Sequence, residues 1–130
     1  MGNKEMDKIM KFYREYMPKE VYLMKNAERY PLIEKATKEI SELVLTYDQD
    51  AEIDIRPDEL TGSTLCLSIK ADLIVIDMVD KFCEALKTAN TFEVCALTDG
   101  RVSMNMTFQN AWVPAPPASE PFPEYYKDEE

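Results

Sequence analysis

Four short stretches after residue 50 alternate apolar and polar residues, and this alternation constrains the fold more than any other feature of the sequence. Side chains on a strand point to opposite faces in turn, so each stretch predicts a strand with one apolar and one polar face. The predicted strands cover residues 51–56, 65–70, 91–97 and 101–109. A sheet built from them has one face to bury, and we expect every helix of the chain to cover that face.

The turn of the last predicted hairpin determines how its two strands pair. A two-residue loop would place Leu97 opposite Val102, which mixes apolar and polar residues on each face. A three-residue loop over 98–100, with Gly100 in the left-handed conformation of a bulge, places Leu97 opposite Arg101 instead. The apolar residues then share one face of the hairpin: Phe92, Val94, Ala96, Val102, Met104 and Met106. The sequence therefore predicts the three-residue loop.

Apolar residues at helical spacing indicate the helices. They recur every three or four residues up to residue 17, and a second stripe occupies residues 31–47. The stretch 18–29 between them has a thinner pattern and is interpreted as a further turn or two of helix. A third helix is predicted over 73–88 with Asp72 as its N-cap, although its apolar start could alternatively prolong the preceding strand.

These elements follow one another in the order α-α-β-β-α-β-β. This order predicts a two-layer α+β fold, in which N-terminal helices and one central helix pack on one face of an antiparallel four-stranded sheet. A single domain is expected over residues 1–113, because a chain of 130 residues supports one hydrophobic core. Residues 114–130 contain five prolines and an acidic end, and they are interpreted as an extended or disordered tail.

Histidine, which many common catalytic sites need, is missing from the sequence. The chain contains no histidine, so a Ser-His or Cys-His nucleophilic pair cannot form within one copy. Its three cysteines are spaced unlike those of any zinc motif, and no phosphate-binding loop is present. We therefore expect no catalytic residue and no cofactor, and we predict that the chain is not an enzyme.

One acidic stretch has the ligand spacing of an EF-hand calcium loop. Its candidate metal ligands are Asp48, Asp50, Glu52, Asp54 and Glu59. However, Ile53 occupies the position at which the sharp turn of such a loop needs glycine. The same residues alternate like the solvated face of a strand, which needs no metal. The strand is the prediction, and a calcium site is the weaker alternative.

The charge of the chain bears on its partners. A net charge of -10 disfavours binding to nucleic acid, because phosphate groups would be repelled. The basic residues at helical steps on the first helix, Lys4, Lys8, Lys11 and Arg14, are mixed with acidic ones and are interpreted as a solvated helix face. The apolar runs are too short to cross a bilayer, and the N-terminus lacks a signal-peptide pattern. We expect a cytosolic protein with no membrane partner.

The leading functional prediction is a non-catalytic protein-binding or adaptor module that forms a homodimer. Its candidate partner-binding residues lie on the open sheet face and in the tail: Cys95, Leu97, Phe122, Tyr125 and Tyr126. One alternative is a small carboxylate-dependent hydrolase or ligand-binding domain. Another is an acidic chaperone-like protein, because small acidic secretion chaperones have a loosely similar order of helices and hairpins.

Overall fold

The computed structural model describes residues 4–18, 23–59 and 62–114. In chain order its elements are α1 (Lys4–Glu15), β1 (Leu23–Lys25), α2 (Tyr30–Tyr47), β2 (Glu52–Pro57), β3 (Leu65–Asp72), a 3₁₀ helix (Leu73–Phe82), α3 (Cys83–Leu86), β4 (Thr91–Ala96), β5 (Arg101–Phe108) and β6 (Trp112–Pro114). The main sheet is antiparallel with the order β2-β3-β5-β4, and β1 pairs with β6 in a separate two-stranded sheet. The predicted α+β class is confirmed.

Strand pairing in the main sheet gathers its apolar residues on one face. Ile53 of β2 lies opposite Ile69 of β3, and Ile69 lies opposite Met104 of β5. None of these three side chains is more than 2% exposed. The opposite face carries the polar residues that the alternation predicts, such as Asp54 opposite Ser68. The core therefore lies between the apolar sheet face and the helices.

The connection between β4 and β5 is the predicted three-residue loop. The Leu97 N–H donates to the Arg101 carbonyl over 2.8 Å, and the Gly100 N–H donates to the Leu97 carbonyl over 3.2 Å. Gly100 has a φ of +86°, a left-handed conformation that glycine adopts without steric cost. Val94 consequently lies opposite Met104, and the predicted register of the hairpin is confirmed.

The two long helices form the N-terminal part of the helical layer. α1 packs against β2 and α2, and α2 also contacts β3. Pro31 lies in the first turn of α2, where its missing N–H costs no helical hydrogen bond. Trp112 of β6 is buried against the aromatic rings of Phe12 in α1, Tyr16 directly after α1 and Tyr30 in α2. Among the helices of the described residues, none has the length and apolar character needed to span a bilayer.

The segment predicted as a third α-helix over 73–88 is mostly a 3₁₀ helix, so the predicted helix type is wrong. Only Cys83–Leu86 is α-helical, after ten residues of 3₁₀ helix. The predicted cap is present, because the Asp72 carboxylate accepts the backbone N–H two residues further along over 3.1 Å. β-Branched residues at the start of the segment have low α-helical propensity, and three residues per turn place Val75 above Met78, both buried.

The helical interpretation of residues 18–29 is also wrong where the structure describes them. Residues 23–25 form β1, which pairs with β6 in a register that places Met24 opposite Val113. A turn stabilised by the Asn26 side chain, which accepts two backbone N–H groups, leads into α2. Strands of three residues are too short to show an alternation, so the sequence pattern does not reveal this second sheet. Residues 19–22 lie outside the described residues.

Candidate functional site

Asp48, the first residue of the candidate calcium loop, is engaged by protein groups at the end of α2. Its Oδ1 accepts the Asp50 N–H over 2.9 Å, and its Oδ2 accepts the Asp72 N–H over 2.7 Å. The Arg101 guanidinium lies 3.6 Å from the same Oδ2 and also donates to the Asp50 carbonyl over 3.1 Å. These contacts connect α2, β3 and β5, so Asp48 and Arg101 stabilise the fold at this corner of the sheet.

The remaining residues of the candidate loop follow a strand. Glu52 and Asp54 are exposed on the polar face of β2, and Ile53 between them is buried, as the strand prediction requires. Glu59 follows the end of β2 and is also exposed. Within the described ranges, no three acidic or cysteine side chains come close enough together to hold a metal ion. The strand interpretation of this stretch is confirmed.

The predicted partner-binding residues are found in different places. Cys95 is exposed on β4, on the polar face of the sheet, opposite Ser103. Leu97 directly follows β4, is half-buried, and its N–H bonds to β5. The three tail residues, Phe122, Tyr125 and Tyr126, lie outside the described residues. Of the two candidates that the structure describes, only Cys95 belongs to an edge strand.

β4 is an edge strand whose apolar side chains are only partly covered. Every residue of β4 is exposed. Phe92 and Val94 are 37% and 40% exposed, whereas their partners on β5, Met106 and Met104, are at most 1% exposed. On the apolar face of the sheet, the side chains of β5 are therefore buried and those of β4 are partly exposed. The helices pack on the apolar face of the sheet, as predicted, but they leave the apolar side chains of this strand partly exposed.

The backbone of β4 also has an open side. In the described part of the chain, β5 is the only strand that pairs with β4. The Leu97 N–H bonds toward β5, and successive residues of an antiparallel strand direct their backbone groups to opposite sides. Phe92, Val94 and Ala96 therefore direct their N–H and C=O groups away from β5. The same three residues carry the uncovered apolar side chains, and together they form what we call the β4 edge.

At the other edge of the sheet, along β2, side chains of α1 bond to the outward backbone groups of Ile53. The Ile53 N–H donates to the Glu5 carboxylate over 2.7 Å, and the Lys8 ammonium donates to the Ile53 carbonyl over 3.4 Å. Glu5 and Lys8 form an ion pair with an N–O distance of 2.8 Å. Burial raises the pKa of the Glu5 carboxyl, but the hydrogen bonds from Lys8 and the Ile53 N–H outweigh it and hold the pKa below its usual value. The outward backbone groups of Ile53 are thus already bonded.

Two surface depressions lie where β2 ends. One has a volume of about 420 Å³ and opens on the polar sheet face beside Cys66 and Asn105. The other has a volume of about 600 Å³ and is bordered by Tyr16. Asp58 and Glu59 line both depressions. Carboxylate chemistry of the kind that the hydrolase alternative requires would therefore use these two side chains.

The sequence assigned the residues of the β4 edge to the core. Phe92, Val94 and Ala96 have the same alternation as the buried strands, so their pattern does not distinguish an edge strand from a central one. Cys95, which the sequence did select, lies among them but faces the polar side. Comparison with protein-family models, with curated proteins and with solved structures finds no match to this chain.

Proposed function

We propose that this chain is a non-catalytic, cytosolic protein-binding module that takes an extended strand of another polypeptide onto the β4 edge. The observation that carries the proposal is the unequal treatment of the two edges of the sheet. α1 side chains bond to the outward backbone groups of Ile53 on β2, whereas β4 exposes both its outward backbone groups and its apolar side chains. Of the two edges of the four-stranded sheet, as far as the structure describes them, the β4 edge is therefore the one that we expect to receive a strand.

The physical basis is strand addition to a sheet. An added strand bonds to the unpaired N–H and C=O groups of the edge, which supplies affinity, and its alternate side chains meet those of the edge, which supplies specificity. Exposed edges favour unwanted association, and proteins commonly block them with charged side chains, prolines or a covering element. β4 has a single charged residue, Glu93, and no proline. β4 therefore has few of the residues that usually block an edge, and this open apolar edge supports a binding role.

A matched pair of lysine substitutions tests the proposal. Val94→Lys places a charge on the β4 edge, and Leu32→Lys places one on α2 at an apolar side chain that is 54% exposed. We expect tagged wild-type chain and Leu32→Lys to capture the same polypeptides from native lysate, copies of the chain itself included. Val94→Lys is expected to lose them while keeping the wild-type circular dichroism spectrum. Equal capture by Val94→Lys and Leu32→Lys would contradict the proposal.

A carboxylate-dependent hydrolase is a second candidate, favoured by the position of Asp58 and Glu59 at both depressions. Its test is hydrolysis of a panel of ester, phosphate, peptide and glycoside substrates by wild type and by Asp58→Asn and Glu59→Gln. Turnover that either variant abolishes would favour this candidate. The chaperone-like alternative uses the β4 edge as well, and it differs in that the captured polypeptides would be unfolded clients.

A further inference from the structure

We propose that the strand received by the β4 edge is β4 of a second copy, paired antiparallel about a two-fold axis through Val94. This inference rests on the proposed function and names its partner. A symmetric dimer presents the same surface from both copies, so β4 has to be complementary to itself in the reversed direction. The sequence of β4, TFEVCA, has this property in one register.

Only one register uses the whole β4 edge. Residues that direct their backbone groups outward must meet one another in the seam, because these groups supply its hydrogen bonds. With Val94 opposite Val94 of the second copy, Phe92 lies opposite Ala96 in both halves of the seam. Every outward residue of each copy then has a partner. A shift by two residues in either direction leaves one outward residue of each copy unpaired.

Side-chain size supports the same register on the apolar face. It places the ring of Phe92 opposite the methyl group of Ala96, so a large side chain meets a small one, and it places two valines together at the axis. Pairs of directly opposed apolar residues are the units that stabilise a sheet. Phe92 and Val94 are each more than one-third exposed in the single copy, and the second copy would cover them.

Charge distinguishes the registers further. In the proposed register, Glu93 lies opposite Cys95 of the second copy, so no like charges are directly opposed. A shift by two residues in one direction would place Glu93 opposite Glu93, and directly opposed like charges destabilise a sheet. β2 is less suited to self-pairing, because it carries Glu52, Asp54 and Arg56 and its edge is covered by α1. The dimer would join two four-stranded sheets into one continuous sheet.

Disulfide formation tests the register. In a Cys66→Ser and Cys83→Ser background, Glu93→Cys places an introduced thiol opposite Cys95 of the second copy in a non-hydrogen-bonded pair. Cα atoms in such a pair are about 4.5 Å apart, within disulfide range. We expect a disulfide-linked dimer on a non-reducing gel after mild oxidation. The matched control is the same background without Glu93→Cys, in which the two copies of Cys95 are diagonal neighbours about 7–8 Å apart and should not link.

Light scattering and sedimentation of the purified chain test the partner. We expect wild type to shift from monomer to dimer with rising concentration, and Val94→Pro to remain a monomer. Proline removes an N–H that is directed away from β5, so the fold is retained. Val94→Lys provides a second variant if Val94→Pro does not fold.

These experiments distinguish three failures: a wrong register, a wrong partner and the absence of strand addition at the β4 edge. Equal linking in the control, which carries Cys95 without Glu93→Cys, or no linking in a Glu93→Cys variant that still dimerises, would overturn the register. A wild-type chain that stays monomeric, or a Val94→Lys variant that still forms dimers, would overturn the second copy as the partner. Capture from lysate that depends on Val94 would in either case leave strand addition at the β4 edge standing. Capture that is independent of Val94 would overturn strand addition itself.

Discussion

The two outer strands of the sheet, β2 and β4, differ in whether the backbone groups on their outer sides have hydrogen-bond partners. α1 packs against β2, and its Glu5 and Lys8 side chains bond to the N–H and the carbonyl of Ile53. β4 has a row of apolar side chains and outward backbone groups that no described strand covers. Both strands have the same alternation in sequence and the same length of six residues. The local sequence of a strand therefore does not determine whether its edge is open, because contacts with a distant helix determine it.

Proline at the outward position of each edge is expected to give the largest contrast. Ile53→Pro removes the N–H that Glu5 accepts together with a buried side chain, and we expect the free energy of unfolding to fall by about 4 kcal/mol. Val94→Pro removes an outward N–H and a half-exposed side chain, so we expect a fall of about 1 kcal/mol or less. Urea unfolding followed by circular dichroism measures both values.

Alanine variants at the same two positions provide the control for this comparison. The difference between Ile53→Pro and Ile53→Ala isolates the backbone contribution at β2, and the Val94 pair does so at β4. The backbone contribution is expected to be larger at Ile53. If the two contributions were equal, the covered edge and the open edge would not differ as described.

Removing the covering carboxylate should have the next largest effect. Glu5→Ala leaves the Ile53 N–H without its acceptor and Lys8 without its ion-pair partner, and we expect a loss of about 2 kcal/mol in the free energy of unfolding. Glu15→Ala is the matched control, because Glu15 is an exposed acid on the same helix, and its effect should stay within about 0.5 kcal/mol. Similar losses in both variants would show that α1 does not hold the β2 edge through Glu5.

The contribution of Glu5 should also depend on pH. Its pKa is lower in the folded chain than the ordinary value of 4.5, so the carboxylate stabilises the fold at pH values above 4.5. This stabilisation is lost as the pH falls from about 4.5 through the lower folded value. Wild type should therefore lose more stability than Glu5→Gln over that interval. Urea midpoints of the two proteins that run parallel across it would contradict the assignment.

Salt is expected to have the smallest effect, and it concerns only the open edge. Two copies with a net charge of -10 repel each other, and salt screens this repulsion over about 10 Å at 0.1 M. Self-association should become about twofold tighter between low and moderate salt, since Glu93 is the single charge on β4. Sedimentation across a salt series measures it. Association that weakens with salt would point to a surface held by opposite charges rather than to the β4 edge.

Much of the fold could be predicted because alternation and turn chemistry act locally. Period-two patterns identify the strands, and Gly100 after Asp99 fixes the loop and hence the register of β4 against β5. The 3₁₀ helix was missed because its apolar stripe fits either three or 3.6 residues per turn over such a short span.

The site was harder to predict because it depends on contacts between distant parts of the chain. Whether β4 is central or outer depends on strand order, which alternation does not encode. Glu5 and Lys8 stood in what the sequence indicated as a solvated helix face, and only their distance from Ile53 shows what they bind. The missing histidine, in contrast, needed no structure, because composition alone limits the available chemistry.

The burial of Trp112 gives the chain an internal optical reporter. Its indole is packed among rings from α1 and α2 in the small β1–β6 sheet, and it is the chain's single tryptophan. Emission on selective excitation of the indole should therefore follow the assembly of the two long helices with the small sheet. Pairing at the β4 edge should leave its wavelength unchanged. Fluorescence of the unlabelled chain can thus separate unfolding from association within one titration.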